Sequence, residues 1–126
     1  MIIFSNVDRA SFAASDAKIG VEFDAVYTAE DIGSYKPNLN NFKYMLDKLA
    51  GMGIAKAAIL HTAQSLFHDH APAKALGLAR CWIDRRMGED GSGATKALDE
   101  IPDVHFHYDS MAALVEAHLA VLATGV

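Results

Sequence analysis

Short apolar runs of strand length alternate with helix-patterned stretches along the whole 126-residue chain, and this alternation limits the folds open to it. Residues 2–4 are apolar and lead into the polar pair Ser5-Asn6. Asp8 is placed to cap a helix that runs to about Lys18 and ends near Gly20. Ala25, Val26 and Tyr27 predict a second strand, and residues 32–38, with Gly33, Ser34 and Pro37, predict a loop. Phe42, Met45, Leu46 and Leu49 recur at i, i+3, i+4 and i+7, the apolar stripe of a helix that stops near Gly51. Residues 57–60 predict the next strand and residues 61–67 a loop, followed by a helix of small residues to Leu76, closed by Gly77. Residues 79–83 predict another strand. Residues 87–100, with three glycines and five charged side chains, predict an exposed loop. Residues 104–108 predict a last strand. Ser110 then caps a helix with Met111, Leu114, Val115, His118, Leu119 and Leu122 as its stripe. Strands separated by helices imply right-handed crossovers and a parallel sheet with helices on its faces. The expectation is one three-layer, Rossmann-like α/β domain over residues 1–126, with ligands beyond the carboxyl ends of the strands.

Composition narrows the function classes. The net charge of −5 gives no electrostatic reason to expect nucleic acid or an anionic membrane as partner. Hydrophobic residues make up 52%, enough for a buried core, yet no apolar run approaches the roughly 20 residues of a membrane helix. The first residues lack the pattern of a signal peptide. They predict a strand from the outset, which points to a segment that normally precedes them. Cys81 is the one cysteine, so no internal disulfide can form, and a cytoplasmic location is expected.

Of the four places at the carboxyl ends of predicted strands, including the loop after Ile83, three carry candidate chemistry. Ser5 and Asn6 offer a hydroxyl and an amide to an anionic oxygen. In Ser34-Tyr35-Lys36-Pro37 the proline restricts the direction of Lys36, whose ammonium can neutralise a carboxylate and a bound anion together. His61, Gln64, Ser65, His68, Asp69 and His70 crowd ten residues. His68 and His70 are two apart and diverge on a helix, which argues against a metal site and for Gln64, Ser65, His68 and Asp69 as pocket-lining polar groups. His105 and His107 fall on one side of a predicted strand and carry no assigned role. Cys81 predicts an inert buried thiol, and Trp82 a side chain packed under a helix. The alternatives for each place are a turn, a solvated lysine or a structural polar group.

In order and spacing these pieces resemble the haloacid dehalogenase (HAD) superfamily of hydrolases. Its second motif, a strand ending in Ser or Thr, is matched by Ile2-Ile3-Phe4-Ser5-Asn6; its third, a lysine often followed by proline, by Lys36-Pro37. Its fourth, a strand end with acidic residues before a small-residue helix, is matched by the segment with His61 and Asp69, and Cys81-Trp82-Ile83-Asp84-Arg85 is similar to a run in dehalogenase-type members. The resemblance implies that Ser5 and Asn6 bind the anionic group of the substrate, that Lys36 pairs with a nucleophilic carboxylate, and that Asp69 holds Lys36 or helps place Mg²⁺. The family reaction is attack by an aspartate on carbon or phosphorus, then hydrolysis of the ester or acyl phosphate. Gln64 stands where magnesium-dependent members carry an acid, so no cofactor is expected and Mg²⁺ is disfavoured. The family's first motif, Asp-x-Asp after a strand, and its cap domain do not occur in the 126 residues. The expected function is therefore a hydrolase core of 2-haloacid or phosphoester type, acting on a small anionic substrate and lacking its nucleophile. The alternative is an inactive anion-binding or assembly module. Because the family's missing strand is central, exposed sheet edges also predict a homo-oligomer.

Overall fold

The computed structural model describes residues 1–87 and 103–124. Residues 88–100 of the predicted exposed loop lie outside that set. The chain divides into two compact units, Met1–Ala58 and Ile59–Val126. No helix among the described residues is long and apolar enough to cross a membrane.

In the first unit, β1 (Ile2–Ser5) pairs in parallel with β2 (Ala25–Thr28), from Ile2 opposite Ala25 to Ser5 opposite Thr28. The crossover is α1 (Arg9–Ile19). Asp8 caps it by accepting from the Ser11 N–H at 2.6 Å, and Gly20, at φ 68°, ends it in the left-handed conformation that suits glycine. The bond to the Ser11 backbone holds the Asp8 carboxyl below its usual range. After β2 comes a short helix, α2 (Ala29–Ile32), where the sequence had predicted none. Thr28 and Asp31 form a capping box around its first turn, and Arg9 pairs with both Glu30 and Asp31. Next, α3 (Leu39–Gly51) buries Phe42, Met45 and Leu49 of the predicted stripe. Asn41 is buried on the same face: its amide donates to Ser34 O at 2.7 Å and its oxygen accepts from the Ser34 hydroxyl. Phe4 meets Phe42 edge to face, ring centroids 5.0 Å apart.

The second unit holds a three-stranded parallel sheet in the order β3 (Leu60–Ala63), β4 (Ala79–Ile83), β5 (Phe106–Tyr108). The strand expected at 57–60 is displaced toward the carboxyl end. Lys56–Ala58 winds into a 3₁₀ turn, and His61, which reads as a loop residue, is buried within β3 because Asp69 satisfies its imidazole. A π-turn, Leu66–His70, leads into α4 (Ala71–Ala75), and Gly77, at φ 72°, turns the chain into β4. Leu78, Cys81 and Ile83 are core residues of this unit. Trp82 stacks on His107 rather than packing under a helix, because its indole N–H requires an acceptor and finds one in Gln64 O at 3.0 Å.

Ser110 caps α5 (Met111–Ala123) as the sequence predicts. Most of the expected stripe does not face inward: Met111, Val115, Leu119 and Leu122 are 50–59% exposed, while Leu114 of that stripe is more covered, with Ala113 and Ala117. Apart from Glu116 and His118 this helix is apolar on every side, so its periodicity singles out no face.

Candidate anion-binding site

The site in the first unit is built at the carboxyl end of β1. Asn6, just past the strand, grips the backbone of Lys36 from both sides. Its amide oxygen accepts from the Lys36 N–H at 2.7 Å, and its amide nitrogen donates to Lys36 O at 3.1 Å. The Lys36 side chain turns back along the strand. Its ammonium donates to Phe4 O at 3.2 Å and lies 4.9 Å from the Phe4 ring centroid, and the residue is 8% exposed. The Lys36–Pro37 peptide bond is cis. Asn41 fixes the other end of this loop at Ser34, so 34–36 is tied to β1 and to α3. Of the three residues expected here, the fold thus joins Asn6 and Lys36 directly, while Ser5 ends β1 opposite Thr28. The two hydrogen bonds give Asn6 a positioning role that its residue type alone did not reveal. A buried ammonium beside a strand end is what an anion requires: a fixed charge in surroundings that screen it poorly.

The candidates of the second unit lie at the carboxyl end of β3. Gln64 accepts from the Arg85 guanidinium through its side-chain oxygen. Ser65 caps the π-turn: its hydroxyl accepts from the His68 N–H at 3.0 Å and is bonded to His68 Nδ1 at 2.9 Å. Asp69 is buried, with Oδ1 3.0 Å from Nε2 of buried His61. His70 is fully buried and donates from Nε2 to Ala63 O at 2.8 Å. Burial lowers its pKa from the ordinary value of 6.5, against the bond to Ala63, so it is held neutral. Burial likewise raises the Cys81 thiol, against a hydrogen bond from Thr62, which favours the neutral thiol of a core residue.

Three features were missed in the sequence. Asn41 shares its helical face with Met45 and Leu49, and a polar residue in a core-facing position was the available signal. The pairing of His61 with Asp69, eight residues on, has no local signature, because it depends on the strand and the π-turn together. Arg85 likewise meets Gln64 only through the alignment of β3 with β4.

No protein-family profile and no curated protein sequence matches the chain. Solved structures do. YfnB of Bacillus subtilis, described as a HAD-hydrolase and bound to magnesium, superposes with a TM-score of 0.72 at 19% identity, covering 92% of this chain and 47% of its own. A HAD phosphatase from Thermococcus onnurineus gives 0.67 at 19%, covering 93% and 49%. A 2-haloacid dehalogenase from Pseudomonas syringae gives 0.56 at 24%, covering 88% and 43%. The chain spans about half the length of these structures.

Magnesium asks for a set of hard oxygen ligands. The end of β3 supplies Gln64, a neutral amide already accepting from a guanidinium, and Asp69, already bonded to His61. No cluster of three or more His, Cys, Asp or Glu among the described residues is placed to hold a metal ion. These residues do not fit that ion.

Two parallel sheets with flanking helices and three structural matches lead to one conclusion: the chain has the α/β fold of the HAD-type hydrolase core.

Proposed function

We propose that this chain is the anion-holding part of a HAD-type hydrolase, of the 2-haloacid or phosphoester class, and that the 126 residues bind without turning substrate over. The observation that carries the reading is the placement of Lys36: little exposed, its backbone gripped by Asn6, its ammonium at the end of β1. Likeness in fold to a phosphatase and to a 2-haloacid dehalogenase supports the two substrate classes. No Asp-x-Asp occurs in the sequence, so the attacking carboxylate of that chemistry has no counterpart here. Within this reading Ser5 and Lys36 meet the anion, and Asn6 holds Lys36 in position. Asp69 is the acid that the family resemblance assigns to a supporting role.

The test pairs binding with turnover. The chain is expected to bind 2-chloropropionate or inorganic phosphate, while releasing no halide from the former and no phosphate from p-nitrophenyl phosphate. Lys36→Ala is expected to weaken binding by roughly tenfold or more, the worth of a hydrogen bond to a charged group. Turnover by the chain that disappears in Lys36→Ala would overturn the missing nucleophile. Unchanged binding in that variant would overturn the role of Lys36.

A further inference from the structure

We propose that Arg85 is a second anion-binding group, in the unit Ile59–Val126, built to take the oxyanion of a small carboxylate or phosphate. It stands just beyond the carboxyl end of β4, the end at which parallel sheets bind ligands. Two of the four arginines are committed elsewhere: Arg9 is paired with Glu30 and Asp31, and Arg80 is buried with its guanidinium on Asp103 O and Leu78 O. Arg85 is exposed, and its one hydrogen-bond partner among the described residues is the neutral amide of Gln64. A guanidinium carries five N–H donors in a planar fork, so most of them face no acceptor among the described residues.

Its neighbours prepare it for an anion in two ways. Gln64 is itself held, because the Trp82 indole N–H donates to its backbone oxygen at 3.0 Å. The guanidinium is thus bonded to the side chain of a residue whose backbone is held by Trp82. The nearest acid in sequence, Asp84, is taken up by His107: Oδ2 lies 3.0 Å from His107 Nε2, and that imidazole is stacked on Trp82, centroids 4.4 Å apart and planes at 17°. With Asp84 engaged there, no carboxylate among the described residues competes with an external oxyanion for Arg85. This inference does not depend on Lys36, which belongs to the other unit.

The experiment titrates the full chain with inorganic phosphate and, separately, with acetate, at fixed pH and with ionic strength held by sodium chloride. The readouts are the NMR signal of the Arg85 Nε–H and the fluorescence of Trp82, the chain's one tryptophan. The expected result is a saturable shift of the Arg85 signal, with the stronger of the two anions naming the ligand class. Binding should weaken roughly tenfold in Arg85→Gln and persist in Lys36→Ala. His107→Asn should weaken it too, by releasing Asp84 to compete for the guanidinium. An Arg85 signal that moves with neither anion overturns the proposal. So does binding that survives Arg85→Gln but fails in Lys36→Ala, which would leave Lys36 as the site. Unchanged affinity in His107→Asn overturns the sequestering of Asp84.

Discussion

Asn6 illustrates how far a residue's type goes and where it stops. Ser5-Asn6 at the end of an apolar run reads as a candidate place for an anion, and the structure spends the amide on the Lys36 backbone, 30 positions away in sequence. That distance is why the contact could not be read locally. Asn6→Ala removes both bonds and leaves Lys36 N–H and C=O to find other partners. The expected loss is about 1–3 kcal/mol in urea unfolding, and an unchanged midpoint would show that the clamp contributes nothing. His70 makes a pH prediction. Its folded pKa is depressed below 6.5, so the unfolded state binds the proton first as pH falls. Its contribution to stability is whole above that value and is lost as pH drops from there toward the folded pKa. Wild type should lose stability over that window more steeply than His70→Gln, which keeps a donor for Ala63 O without a titrating ring. Parallel curves for the two proteins would contradict the assignment.

At the scale of elements, those with a strong local pattern were legible. Residues 79–83 read as a strand and are β4, and the 42-45-49 stripe is the buried face of α3. The misreadings have separate physical causes. Four-residue α2 is too short for periodicity, although Thr28 and Asp31 are spaced as a capping box. The sequence pattern sets β3 three residues early because His61 is polar, and only its bond to Asp69 makes it a core residue. For α5, a helix apolar nearly all round gives a stripe whose residues, Leu114 apart, lie mostly on the exposed side. Two substitutions separate the helices. Phe42→Ala, in the buried face of α3, should cost about 3–5 kcal/mol. Leu119→Ala, on the exposed side of α5, should stay within about 0.5 kcal/mol. A loss at Leu119 comparable to that at Phe42 would show that the outer face of α5 is covered in solution.

For the whole molecule, the order of strands and helices was enough to name the α/β class, because crossover connections permit few arrangements. The two-unit organisation and the split into separate sheets of two and three strands were not legible, since they depend on which strands pair. The structural matches share this fold over about half their own length, at 19–24% identity. At that distance the chemistry has to be argued from side chains, and the proposed anion site rests on Asn6 and Lys36. The most direct test of their role is an amide NMR titration of the labelled chain with 2-chloropropionate. The account predicts saturable shifts centred on Ser5, on the Asn6 side-chain amide and on Lys36, lost in Lys36→Ala while the remaining spectrum is kept. Saturable binding that leaves those three residues unmoved would contradict it.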